Sequence, residues 1–411
     1  MTNTKNQQLA FDKFSELKVG ALFMKMGTGK TKVAIDLVNY NDVDLLVYVC
    51  PFSTKDNIRD EIEKWGVNCE YILIGYETIQ SSDKQYLDLL SKMRNKRCSI
   101  IADESVFIKN EETKRFNRLN ELRKQCDYAL ILNGTPITKN EWDIYNQMYF
   151  LSPRIIDMSR EQFLNTFFKR ITYKKLHENP HTFYKFSEVN AEYLRKLIEP
   201  YIFECDLEFE KGEASNYKYI ACEEDGYVQE KEQKLKEYAN YGQSQTIINM
   251  LTSLNVISAN STEKNDELIN YIRDKRVIVY CNFLSEIEYI SERVDCFVVT
   301  GKIKKRKPLI EQFKASNKPL LMTLGVGSYS LNLQEFCNEI VYSSITFDYS
   351  KIEQSKYRIK RIGQEQDIKY TYFLTTFGIN KLIIENLDRK QTLENLIKEK
   401  LKGGAEWLKS I

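Results

Sequence analysis

Histidine is nearly absent from the chain, with His177 and His181 the only two among 411 residues. Nine cysteines (Cys50, Cys69, Cys98, Cys126, Cys205, Cys222, Cys281, Cys296 and Cys337) are scattered without a single C-x-x-C pair. The ligand sets from which zinc sites are built are therefore missing, and no metal of that kind is expected. An odd, dispersed cysteine set, with no basic segment leading into an apolar one at the start, reads as reduced thiols in an intracellular protein. No apolar run is long enough to span a bilayer, so a membrane is not an expected partner. Neither sign of charge dominates: 60 Lys and Arg stand against 58 Asp and Glu, a net +2. Any surface for a polyanion must then be a local patch rather than a global field. Short-period repeats and low-complexity linkers are also lacking.

What is present is a foldable composition, 42% hydrophobic and 29% charged, in a chain too long for one core but comfortable for two. Short apolar runs bounded by turn residues recur at 21–24, 45–49, 99–102 and 128–132, with amphipathic stretches such as 56–65 and 85–93 between them. This alternation predicts βαβ units and a parallel sheet. It resumes at 276–281, 296–299, 320–323, 339–342 and 368–374, predicting a second parallel sheet. Between the two blocks strand-like runs thin out. The expected organisation is a first α/β lobe over 1–157, a helical insertion over 158–265, and a second lobe over 266–411 ending in terminal helices. Within the insertion, 225–238 has helical spacing and reads as a solvated helix face.

The most informative segment runs from Ala21 to Thr31: a strand, a turn with Gly27 and Gly29, then a helix. Glycines there let backbone N–H groups approach phosphate oxygens, and the helix N-terminus adds partial positive charge. Lys30 is placed to neutralise β- and γ-phosphates, and the Thr31 hydroxyl to ligate Mg²⁺. Met26, Gly27, Thr28 and Gly29 complete the loop. The pattern G-x-x-x-x-G-K-T is broken at its first position, which is Met24. A second apolar strand ends in Asp103 and Glu104. Following a phosphate loop, such a pair can hold the metal through Asp103 and polarise an attacking water through Glu104. Gln354, Arg358 and Arg361 lie in a charged segment near the C-terminal end. The two arginines are three apart, which places them on one side of a helix.

In its order of elements the chain resembles the superfamily 2 helicases, and within them the SWI/SNF-type DNA translocases. The resemblance is carried by Met26-Gly-Thr-Gly-Lys-Thr31, by Val49-Cys-Pro-Phe-Ser53, and by Asp103-Glu-Ser-Val-Phe-Ile-Lys-Asn110, which is similar to D-E-A-H-x-x-K-N. It continues through Asn133-Gly-Thr-Pro-Ile-Thr-Lys-Asn140, Phe150-Leu-Ser-Pro153, the stretch 277–283, and Thr300-Gly-Lys302. Gln354, Arg358 and Arg361-Ile-Gly-Gln364 match Q-x-x-x-R-x-x-R-I-G-Q, the signature most characteristic of the family. The resemblance implies two RecA-like lobes and an ATP-dependent double-stranded DNA translocase, a DNA-dependent ATPase that uses ATP and Mg²⁺ at the cleft between lobes. It implies catalytic roles for Lys30, Asp103, Glu104, Gln354, Arg358 and Arg361, and an adenine contact from Gln7. Ser53, Tyr76, Lys139, Asn140, Asn282, Thr300 and Thr323 become the implied nucleic-acid contacts. A strand-separating helicase and a nucleotide-switched binding protein with little turnover are the alternatives. The chain departs from the family at Val106, which cannot make the hydrogen bonds of the usual histidine, and at 324–333, where the fifth motif is lengthened and ends on Ser330. A motor this small is expected to be a monomer, with little sequence preference, from a phage or virus and acting in the host cell cytoplasm.

Overall fold

In the computed structural model, the described residues are 3–134, 142–173, 181–241, 244–303, 306–325, 332–390, 393–401 and 406–411. They form two compact units, Met1–Glu208 and Phe209–Ile411. In the first unit the strands are β1 (Val19–Met24), β2 (Leu45–Cys50), β3 (Glu70–Gly75), β4 (Cys98–Asp103), β5 (Tyr128–Leu132), a hairpin of β6 (Phe168–Tyr173) and β7 (His181–Phe186), and β8 (Ile202–Cys205). Six of them make one parallel sheet in the order β3-β2-β4-β5-β1-β8. Every residue of β1, β2 and β4 is buried. This is why these strands read as continuous apolar runs, as expected of a sheet covered by helices on both faces. Successive residues serve opposite faces: Ala21 and Phe23 belong to one core, Leu22 and Met24 to the other.

The second unit repeats the plan with β9 (Glu213–Ile220), β10 (Ile278–Cys281), β11 (Phe297–Val299), β12 (Leu320–Thr323), β13 (Glu339–Tyr342) and β14 (Ile368–Thr375). The order is β11-β12-β10-β13-β14-β9, again all parallel. Four tyrosines stand opposite one another in a single row across it. Tyr217 stacks on Tyr372 at 4.8 Å, Tyr372 on Tyr342 at 4.7 Å, and Tyr342 on Tyr280 at 5.9 Å. The terminal helices, Gly378–Asp388 and Leu393–Leu401, pack onto the core of this unit through Ile379, Leu382, Ile383, Leu396 and Ile397.

The stretch 158–265, expected as a helical insertion, is divided between the units at 208/209. The reason is strand pairing. β8 extends the first sheet beside β1, and the Lys25 N–H donates to the Cys205 carbonyl at 3.0 Å. β9 extends the second sheet along the whole of β14. β8 is only four residues long and β9 is exposed along all but its last residue, so neither shows the long buried apolar run that marks the other strands. The helix Asp225–Tyr241 has one exposed face and packs the other on the core through Leu235 and Tyr238, and Tyr227 pins it: its ring stacks on Phe377 at 4.3 Å and its hydroxyl accepts the Ile379 N–H.

Candidate functional site

The phosphate loop begins where β1 ends. Met24, in the place of the pattern's first glycine, is the last residue of that strand and wholly buried, so the departure falls outside the turn itself. The turn is closed by Thr28, whose N–H and hydroxyl both reach the Lys25 carbonyl, at 3.4 and 2.7 Å. Gly27 and Gly29 take φ of 82° and 83°, a backbone that only glycine adopts cheaply. Gly29 caps the helix Lys30–Tyr40, which carries Lys30 and Thr31 on its first turn. Gln7, implied as an adenine contact, is 5% exposed and spent inside the protein. Its Nε2 donates to the Thr28 carbonyl at 2.9 Å, and its Oε1 accepts the Thr4 N–H at 3.1 Å. A Cβ at Gly29 would overlap that carboxamide.

Asp103 and Glu104 sit at the C-terminal end of β4. Burial, then the neighbouring Glu104, push the Asp103 carboxyl up to about 6, with Lys30 pulling it down. Tyr48, on β2, directs its hydroxyl at Asp103 Oδ2 across 3.3 Å, and the Thr31 side chain lies beside the same phenol. Burial, followed by the Asp103 charge, raises that phenol well above its usual range, so it remains a donor. Thr31 and Asp103, 72 positions apart, thus meet at one phenol. Tyr48 escaped the sequence reading because it lies within an apolar strand run, where an aromatic residue reads as core. Glu104 itself adopts φ 54° and ψ 58°, left-handed backbone that costs a non-glycine residue about 1–2 kcal/mol.

Behind the acids lies a polar network. Ser105 donates to Gln147, the Asn133 side chain donates to Ser105 at 3.4 Å, and Lys109 pairs with Asp143 at 3.4 Å. The strand-end acids and the segment that begins at Asn133 are therefore joined through side chains in this unit. Tyr76 corrects an expectation. It is fully buried, its hydroxyl donates to the Asp103 carbonyl at 2.7 Å, and its ring stacks on Phe107 at 5.1 Å, so it presents no surface to a nucleic acid. Ser53 is exposed in the short turn Phe52–Thr54. Lys139 and Asn140 lie outside the described residues, as does 326–331 within the altered fifth motif.

In the second unit Asn282, Thr300 and Thr323 stand at the C-terminal ends of β10, β11 and β12, three adjacent strands. The sheet thus aligns residues far apart in sequence along one edge. Asn282 is held by Glu286, whose carboxylate accepts the N–H groups of Asn282 and Phe283 at 3.1 and 3.0 Å and the hydroxyls of Ser343 and Ser344 at 2.7 Å each. Lys264 lies 3.6 Å from that carboxylate and donates to the carbonyls of Ala259 and Ser343. Gln354 is on the helix Tyr349–Lys356, donating to Ser350 at 3.2 Å. The arginines differ from their expected setting: the helix stops at Lys356, and both lie in the turns that follow. Arg358 is 2% exposed, whereas Arg361 is half-buried, its Nε on the Tyr357 carbonyl and NH1 on Asn332. Gly363, at φ 95°, is part of the same tight turn that the helical reading overlooked.

Residues 67–263 match the SNF2-related domain, and residues 263–363 match the helicase conserved C-terminal domain. The chain is an ATP-hydrolysing enzyme of helicase superfamily 2. Similar proteins include the chromatin remodeling factor mit1 of Schizosaccharomyces pombe, 21% identical over 92% of this chain and 31% of that protein. The nuclear protein STH1/NPS1 of Saccharomyces cerevisiae is 21% identical over 92% of this chain and 33% of its own length. An uncharacterized ATP-dependent helicase of Bacillus subtilis, YqhH, is 22% identical over 71% of this chain and 58% of its own length. This superfamily 2 enzyme spans about a third of the length of the first two. Among solved structures, the Sulfolobus solfataricus SWI2/SNF2 ATPase core in complex with dsDNA is 19% identical, with a TM-score of 0.43, over 99% of this chain and 94% of that one.

Proposed function

We propose that this chain is an ATP-driven translocase on double-stranded DNA. The observation that carries the ATPase half of the reading is that Asp103 takes the Tyr48 hydroxyl while Thr31 lies beside the same phenol and Lys30 is close enough to bias Asp103. A hydroxyl and a buried carboxylate are hard oxygen donors, the set that suits Mg²⁺ held by one or two protein ligands plus phosphates. No cluster of three or more acidic, histidine or cysteine ligands occurs among the described residues, which fits that sparse arrangement. Thr31 and Asp103 would hold the ion, which when bound would neutralise phosphate charge. Lys30 and the loop N–H groups bind the triphosphate, and Glu104 orients the attacking water. Gln354, Arg358 and Arg361, on the second unit, keep the catalytic roles that the resemblance implies, as polar and positive groups of the kind that stabilise phosphoryl transfer.

The DNA half of the reading is supported by the two domain matches and by the row of Asn282, Thr300 and Thr323 at one sheet edge. Such short polar side chains suit phosphate contacts, which position a duplex without reading its sequence. The test is turnover measured with duplex DNA, single strands and RNA, followed by displacement of a third strand from linear duplex with Lys30→Ala as control. Stimulation by duplex and ATP-dependent stripping are expected. Turnover at background with every nucleic acid would instead favour a nucleotide-switched binding protein, and unwinding of a plain duplex a strand-separating helicase.

A further inference from the structure

β3 runs directly into the helix Tyr76–Ser81, and the junction touches two distinct parts of the first unit. Cys50, the last residue of β2, stands opposite Gly75, the last of β3, and β2 lies between β3 and β4. The chain leaving β2, Phe52–Thr54, therefore emerges between the end of β3 and the carboxylates at the end of β4. Glu77 reaches back to that chain: its Oε2 accepts the Phe52 N–H at 2.9 Å. Gly75 allows the close approach, since a Cβ there would stand 3.3 Å from Phe52 Cα and tighten the contact beyond the ordinary.

Tyr76, between these two residues, points the other way. Its hydroxyl donates to the Asp103 carbonyl, the oxygen of the peptide that leads into Glu104. The N–H of that same peptide donates to Asp103 Oδ1 at 2.9 Å. The peptide is thus held at both of its polar ends, and the residue beyond it, Glu104, is the one in left-handed backbone. A strained residue next to a pinned peptide changes setting when the pin moves. The Tyr76 ring cannot swing independently of its surroundings. It lies 4° from parallel with Phe107, and the Arg115 guanidinium covers both rings, at 6.0 Å from Tyr76 and 5.2 Å from Phe107. Val106, with no hydrogen-bonding side chain, cannot carry such a link.

We infer that the strand-to-helix junction Gly75–Tyr76–Glu77 couples occupancy of the Phe52–Thr54 turn by nucleic acid to the setting of Glu104. Glu77 and Tyr76 are positioning residues: neither is placed to touch the phosphates being cleaved. This inference rests on the reading of Ser53 as a nucleic-acid contact and of the chain as a DNA-stimulated ATPase.

The experiment compares basal and duplex-stimulated ATP turnover of the full chain, wild type against Glu77→Ala, Glu77→Gln and Tyr76→Phe. In Glu77→Ala, basal turnover is expected to be unchanged, while turnover at saturating duplex falls to within about two-fold of basal with the same half-saturating DNA concentration. Glu77→Gln keeps an oxygen for the Phe52 N–H and should retain stimulation. Tyr76→Phe keeps the stack but loses the hydroxyl, and should lose stimulated turnover at unchanged DNA affinity. If saturating duplex restores full stimulation to Glu77→Ala, the link is wrong and Glu77 serves binding alone. A fall in its basal rate overturns the link equally, since the junction would then be structural support. A wild type that no nucleic acid stimulates overturns the proposed function, and this inference with it; that outcome is recognised by the flat response of the unmutated protein.

Discussion

The carboxamide of Gln7 donates to the carbonyl of Thr28 across 2.9 Å, tying the first helix to the inside of the phosphate loop. The bond is buried, and Gln7 also closes the capping box with Thr4. Removing it leaves the Thr28 carbonyl without this donor, a loss of about 1–3 kcal/mol. Gln7→Ala is therefore expected to raise KM for ATP roughly ten-fold through a loosened loop. Because the carboxamide acts on the loop rather than the base, KM for GTP should rise by the same factor. A change in the ATP-to-GTP preference would show that Gln7 leaves Thr28 to read the adenine.

Asp103 illustrates a conflict between function and stability. Its carboxyl is raised to about 6, chiefly by burial and next by Glu104, from an ordinary 3.8. Between those values the folded chain binds more protons than the unfolded one, so stability falls as pH rises through this window and stays lower above it. Asp103→Asn removes the titration. Without nucleotide, the variant should be more stable than wild type above pH ~6, by on the order of 3 kcal/mol, with the gap closing toward pH ~4. Turnover should be lost. Melting curves at several pH values check this, and a gap that does not change with pH would refute it.

Arg358 and Arg361 should separate under mutation. Arg358 is buried, and Arg358→Ala leaves a large void and unsatisfied surroundings, so a loss of about 3 kcal/mol in the second unit is expected beside the loss of turnover. Arg361 is half-buried and exchanges part of its bonding with solvent. Arg361→Ala should cut turnover about 100-fold while changing stability by less than about 1 kcal/mol. Denaturant unfolding alongside steady-state kinetics distinguishes the two. Equal stability losses would mean that both serve the fold.

Glu286 and Lys264 form the most deeply buried ion pair among the described residues, and the pair fixes the backbone at Asn282. Glu286→Ala leaves the buried Lys264 ammonium with two carbonyls but no counter-charge, at a cost of about 3–5 kcal/mol. Burial already pulls the Lys264 pKa below its usual range, with Glu286 opposing the shift. Pairing Glu286→Leu with Lys264→Met should recover much of the stability without restoring the hold on Asn282. The double variant is then expected to fold yet bind duplex DNA more weakly than wild type. Unimpaired binding would remove Asn282 from the contact surface.

Some of this was legible from residue order because the information is local. A buried parallel strand must be apolar from end to end, so β1, β2 and β4 announce themselves. A loop that wraps phosphates needs glycines at fixed offsets before Lys30 and Thr31. Acids that follow an apolar strand, as Asp103 and Glu104 do, are legible for the same reason. β8 and β9 gave no such signal: one is only four residues long and the other is an exposed edge, and their place in the sheets depends on hydrogen bonds to β1 and β14. The boundary at 208/209 was hidden with them.

Sequence alone determined the chemistry at hand: a lysine and a hydroxyl at a helix start, two carboxylates at a strand end, and a glutamine and two arginines near the close. Tertiary structure decided what those groups meet. It set Tyr48 between Thr31 and Asp103, turned Tyr76 inward onto the Asp103 carbonyl, occupied Gln7 with Thr28, and buried Arg358. Each depends on elements packed side by side after long excursions of the chain, and no periodicity within a segment records which neighbour will lie across from it.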